Sequence, residues 1–349
     1  MQIGIAIDGS VGLNWDEQRQ LARDAVELGY DSMWTPGFGG RDPFQKCSQW
    51  SAATQDLRPG GIGVGTSVVS VPLWHPMTLA VAAAAMADVS QGQFVLGIGP
   101  SAIASANYRS MMGVPYVAPL TLMREYVAVL RRLLAGERVS FQGEAVQLNG
   151  AGLGFAPAPV RIQLGGMAQN LLQLAGEIAD GATLNWCSAE RVRWSREQVD
   201  TGAIRAGRDP STVTMSGHIR VSVDDDPKVA RRALAVSVSH YALADPGEST
   251  TASYRGQFAR MGYDALLTEL EARRDAGASE EEICAAFPNE MLETVGCYGT
   301  PADIGPKFAK LAAGLDVPIV RIVNPRPGLA GARAVIEACR PEAIAPLMA

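Results

Sequence analysis

Histidine is scarce: there are three in 349 residues, His75, His218 and His240, far apart in the chain. Zinc sites draw on clustered His and Cys, so no metal centre is expected. The five cysteines (Cys47, Cys187, Cys284, Cys297, Cys339) are scattered, odd in number and form no C-x-x-C pair. That argues against a disulfide framework and fits a reducing compartment. Basic charge is in deficit, with 30 Lys and Arg against 36 Asp and Glu and a formal net charge of −6. Nothing in that balance attracts nucleic acid, and no basic run marks a membrane surface. No stretch reaches the roughly 20 apolar residues of a membrane span. The N-terminus enters a strand pattern at once (Gln2-Ile3-Gly4-Ile5-Ala6-Ile7), without a charged n-region or an apolar h-region. The chain reads as soluble and cytoplasmic.

What is present is ample apolar material, 47% of the residues, and a regular alternation of strand and helix signals. Strands are expected at 3–7, 30–34, 61–71, 93–99, 159–166, 181–186, 212–223 and 318–323. Helical spacing falls at 14–29, 75–90, 119–136, 168–179, 189–206, 227–242 and 301–314. Asn14 and Glu17 stand three apart as a capping box, and Gly29 is a C-terminal stop. Repeated β-then-α units imply a parallel sheet. Eight such units favour a closed (β/α)8 TIM barrel over an open sheet. The expectation is one barrel domain over 1–349 with two insertions, at about 100–158 (containing a hairpin near 138–148) and about 243–295.

Barrel active sites sit at the C-terminal ends of the strands. Those ends offer Asp8-Gly9-Ser10, Thr35-Pro36-Gly37-Phe38, Ser67 to Ser70, Gly99-Pro100-Ser101, Gly165-Gly166-Met167, Asn185-Trp186, Arg220, and Arg321 with Asn324. The set holds one carboxylate and no Ser/His/Asp arrangement. It suits a bound cofactor that carries the chemistry. Asp8 is either a turn residue in Asp-Gly-Ser or an acid/base group in the mouth. Gly165-Gly166, between a strand and a helix, is either a tight connection or a backbone cradle for phosphate. His75 beside Pro76 reads as a helix start. Glu177 and Asp180 read as an ordinary helix exit. Phe38, Trp34 and Trp186 suggest an apolar mouth.

Five stretches carry a resemblance: "ARDAVELGYDSMW", "VPLWHPMTLAVAAAAMADVSQGQFVLGIG", "MREYVAVLRRLLAGERVSFQGEAVQL", "LAGEIADGATLNW" and "GTPADIGPKFAKLA". In order and spacing the chain resembles the luciferase-like flavin and deazaflavin oxidoreductases, from the first strand to the last helix. The resemblance implies a bacterial-luciferase-like TIM barrel, usually a homodimer, acting on a small molecule. "GTSVVS" resembles the branch that uses coenzyme F420, as in methylenetetrahydromethanopterin reductases and F420-dependent glucose-6-phosphate dehydrogenases. It implies a non-proline cis peptide at Ser67–Val68 backing the cofactor ring, and a ring-contacting hydroxyl at Ser70. It further implies a bordering turn at Pro100-Ser101, and a phosphate loop at Gly165-Gly166 with Ala168 and Gln169. The implied activity is F420-dependent hydride transfer. The alternatives are an FMN-dependent monooxygenase and a non-catalytic flavin-binding protein. The chain also departs from the family. The dehydrogenases' Asp-His pair is replaced by Pro36-Gly37, their Glu by Ala102, and the reductases' strand-one Glu by Ala6. Sugar-phosphate oxidation is therefore not expected, and Asp8, two residues on and on the same face, is the candidate catalytic group.

Overall fold

The computed structural model describes residues 2–37, 40–244 and 253–348. Its centre is a ring of eight parallel strands. They are β1 (Gly4–Ala6), β2 (Ser32–Thr35), β3 (Gly63–Thr66), β4 (Phe94–Gly99), β5 (Arg161–Gly165), β6 (Gly181–Asn185), β7 (Thr214–Val223) and β8 (Val317–Ile322). Each pairs with the next in chain order, and β8 closes on β1 through Gly4↔Ile319, Ile5↔Val320 and Ala6↔Arg321. The expected eight-stranded barrel is the fold. Its strands run nearly unbroken in buried residues, as strands covered by helices on one side and packed against a filled lumen on the other must.

Local signals account for the helices. Asn14 accepts from the Glu17 N–H while Glu17 accepts from the Asn14 N–H, closing the capping box before Trp15–Glu27. His75 caps Pro76–Val89, its Nδ1 accepting from the Met77 N–H. Sequence reasoning assigned no helix between β2 and β3. The structure has Pro43–Ala52 there, with Asp42 accepting from the Gln45 N–H at 2.8 Å. The Asp-Pro start was the available signal.

The strand expected over 61–71 is interrupted. It pairs with β4 as Val64↔Phe94 and Gly65↔Val95, then again as Val69↔Ile98 and Ser70↔Gly99. The offset changes by one residue between the two stretches, so a bulge lies at Ser67–Val68. Between β4 and β5 lie helices Ala106–Met112 and Pro119–Leu134 and the antiparallel pair Val139–Gln142 with Gln147–Ala151. Beyond β7, helices from Tyr254 to Val295 lead to a further strand, Gly296–Gly299. That strand pairs with Arg220–Val223, taking over the edge of β7 where β6 leaves it at His218. These helices pack with Pro227–Ala242 around Trp186, Phe258, Phe287 and Met291, a second apolar cluster beside the main core.

The barrel floor is apolar. Ala6, Trp34, Val95, Val317 and Ile319 form one buried cluster. The Trp34 indole donates to Ser32 Oγ at 2.8 Å and occupies space left by two glycines. A Cβ on Gly65 would lie 2.5 Å from its ring, and one on Gly4 2.8 Å.

Candidate active site

The bulge is pinned on both flanks. Thr66 Oγ1 donates to the Gly97 carbonyl and accepts from the Gly97 N–H, at 2.9 and 3.0 Å. The Ser67 N–H donates to Thr35 and the Gly37 N–H donates to the Val68 carbonyl. The Ser67–Val68 peptide is cis, as the resemblance implied. The Val68 side chain lies against the ends of β4 and β5. A Cβ on Gly99 would come 2.8 Å from it and one on Gly165 2.6 Å, which is why those strands end in glycine. Ser70 is buried, and its hydroxyl lies 2.8 Å from that of Tyr108 on Ala106–Met112. Ser101 takes a left-handed backbone, φ 54°, after Pro100. Helix Gln169–Ile178 starts at Ala168 with no side-chain cap. Arg191 Nη2 donates to the Met167 carbonyl beside that start, at 3.4 Å.

Asp8 caps the turn Gly9–Val11, accepting from the Ser10 N–H at 2.8 Å and from its hydroxyl, and it ion-pairs with Arg321. Burial pushes its carboxyl up, but Arg321 and the Ser10 hydrogen bonds outweigh that, and the net direction is down. Asp8 is therefore an anion at neutral pH. It can hold a cation or accept a proton, but it has none to give.

Four further groups surround it, and sequence reasoning gave none of them a role. His218 on β7 reaches across the lumen, with Nε2 2.5 Å from Ser67 Oγ and Nδ1 buried without a partner. Burial, then the guanidiniums of Arg321 and Arg220, holds the imidazole well below its ordinary value, so it is neutral. Arg220, two residues on and on the same face, donates from Nη1 to Asn185 Oδ1 at 2.7 Å. Its guanidinium lies 3.3 Å over the Trp186 ring and 5.0 Å from that of Tyr241. Burial first, then Arg321, pushes it down to about 9. Arg321 on β8 is the register partner of Arg220, so the two cations stand side by side. Lys46, from the helix not foreseen, donates to Thr35 Oγ1 at 3.1 Å, and burial lowers it against the pull of Asp8.

The expected apolar mouth is corrected accordingly. Trp34 lies in the floor, Trp186 is buried beneath Arg220, and Phe38 lies outside the described residues. The signal for the real lining was in β7, where Ser216, His218, Arg220 and Ser222 alternate with apolar residues or glycine. Four polar residues at period two mark a lumen-facing polar row. Glu177 and Asp180 are structural: Glu177 grips Arg124 at 2.6 and 2.9 Å, and Asp180 bonds Arg131 and the Ile162 N–H. A recess of about 490 Å³ lies to one side, lined by Arg191, Trp194, Met261 and Lys310 among others, and does not include the strand-end groups. Among the described residues no group of three or more His, Cys, Asp or Glu could hold a metal, and no helix is long and apolar enough to cross a membrane.

The closed α/β barrel, with a pinned bulge on its third strand and polar groups gathered at the strand ends, is a TIM barrel whose candidate site lies at those ends. The model of the luciferase-like monooxygenase family matches residues 1–316, and the chain belongs to that family. It is 25% identical over 316 residues to 5,10-methylenetetrahydromethanopterin reductase from Methanolobus tindarius, covering 88% of this chain and 89% of that one. It is 28% identical over 278 residues to F420-dependent glucose-6-phosphate dehydrogenase from Mycolicibacterium fortuitum, covering 75% and 76%. The structure of coenzyme F420 dependent tetrahydromethanopterin reductase from Methanopyrus kandleri superposes with a TM-score of 0.79 at 19% identity, over 100% of this chain and 99% of that one.

Proposed function

We propose that the protein is a coenzyme F420-dependent oxidoreductase that moves a hydride between the deazaflavin and a small organic substrate. The observation that carries this reading is the Val68 wall, seated on Gly99 and Gly165, with an uncapped helix start just past Gly165. The residues fit a flat ring with a phosphorylated tail. Val68 would back the ring, with Ser67, Ser70, Pro100 and Ser101 around it. The turn Gly165-Gly166 would let a phosphate approach, although the Gly166 N–H is itself given to the Thr183 carbonyl, and the N–H groups at Ala168 and Gln169 would take the anion at the uncapped helix start. The relatives named above support F420 over FMN. The cofactor supplies hydride transfer at carbon when bound; the chain supplies position and charge. His218, neutral and bonded to Ser67, steadies the bulge. Asp8 fixes Arg321 and can accept a proton on its carboxylate.

The purified protein titrated with F420 and with FMN is expected to bind F420 more tightly. FMN binding without F420 binding would sink the reading in favour of the monooxygenase, and binding of F420 with no turnover on any acceptor would favour the non-catalytic alternative.

A further inference from the structure

The mouth gathers more positive than negative charge. Arg220, Arg321 and Lys46 are each at least 93% buried, while the carboxylate among them is Asp8 alone, and it is committed to Arg321. Arg220 has no carboxylate within ion-pair reach among the described residues. Its supports are a neutral amide, Asn185, and the faces of Trp186 and Tyr241. Buried charges are ordinarily paired. Two guanidiniums in register on adjacent strands repel each other unless an anion lies against them, and their planar forks match an oxyanion. Asn185 is itself fixed by Tyr254, whose hydroxyl accepts from Nδ2 at 2.9 Å, so Arg220 is aimed rather than free.

We propose that the barrel mouth holds an oxyanion-binding subsite formed by Arg220 and Arg321 with Lys46 alongside, and that the substrate is an organic anion anchored there by a carboxylate or phosphate-type group that takes no part in the hydride transfer. The assignment of the anion to the substrate rests on the F420 reading. The subsite itself does not. The two arginines of the subsite are on β7 and β8, while the Val68 wall rests on the ends of β4 and β5; Lys46 reaches in from the helix after β2. Anion and cofactor ring therefore meet the protein at different strands.

The test is calorimetric titration of the cofactor-free protein with acetate, benzoate and inorganic phosphate at constant ionic strength. At least one of the three is expected to saturate a single site, and Arg220→Gln to weaken that binding at least tenfold. F420 affinity is expected to move less than threefold in the same variant. No saturable binding of any probe to the wild type overturns the subsite, as does unchanged affinity in Arg220→Gln. A parallel tenfold loss of F420 affinity places the anion on the cofactor and overturns the substrate assignment. If Arg220→Gln does not fold, Lys46→Met replaces it, with a threefold or greater loss expected and unchanged affinity again overturning the subsite. Failure of the wild type to bind F420 removes the cofactor reading alone, since the anion titration uses no cofactor.

Discussion

The floor and the mouth of the barrel are built by the same eight strands, a few residues apart, and they are held by opposite means. The floor is a packed cluster around Trp34, with glycines at 4 and 65 making room for one large ring. The mouth is a set of charged and polar side chains, each tied to one or two named partners, with cations in excess. Packing tolerates no gap but needs no particular partner. A polar set tolerates space but fails when one member leaves another buried and unpaired. The difference teaches that stability and ligand chemistry are separated by depth in this lumen.

Three substitutions would break or sharpen that contrast. The largest effect is expected for Trp34→Ala, which should lower unfolding free energy by about 3–5 kcal/mol, read by denaturant titration. Binding at the mouth should survive in the folded fraction. A loss under about 1 kcal/mol would mean that the floor does not carry the barrel. Next is Asp8→Asn, which leaves Arg321 without its carboxylate and should cost about 1–3 kcal/mol at pH 7. The folded carboxyl lies below its ordinary value, so its contribution is full above the unfolded value, near 3.9, and is lost as pH falls through the lower folded one. Stability of the wild type should therefore converge on that of Asp8→Asn at acid pH, and curves that stay parallel would refute the ion pair. If the variant turns over an identified substrate at the wild-type rate, Asp8 has no part in proton transfer. The smallest effect belongs to His218. Its folded value is depressed, so its stabilisation is full above about pH 6.5 and declines as pH falls from there toward the folded value. His218→Gln should remove a slope worth under about 1 kcal/mol at pH 6. A slope retained in the variant would assign it to another group.

The fold was legible because its signals are local and repeated. Asn14 with Glu17, Pro76 after a strand, and eight apolar runs each imply a unit, and the boundaries moved by only a few residues. The bulge on β3 was not legible from apolar pattern, since Val64, Val68, Val69 and Val71 look alike in a strand. The resemblance located it. The site was half legible. Small residues at strand ends point to a cofactor wall, and the glycines at 99 and 165 prove to be the ground on which Val68 rests. Of the charged half, Arg220 and Arg321 were placed at the strand ends but given no role, and His218 was passed over, because β7 is buried along nearly all its length, so burial carries no alternation and only polarity separates lumen from outside. Lys46 escaped for a different reason: its helix was not expected, and a lysine held at 2% exposure against a threonine has no signature in sequence.

Ser67 and His218 belong to strands on opposite sides of the ring, so the hydrogen bond between them is a crossbar through the lumen. It gives the mouth a bottom. On the proposed reading, a ligand entering from the strand ends has this crossbar beneath it. One histidine and one serine would then limit how far a substrate can sink into the barrel.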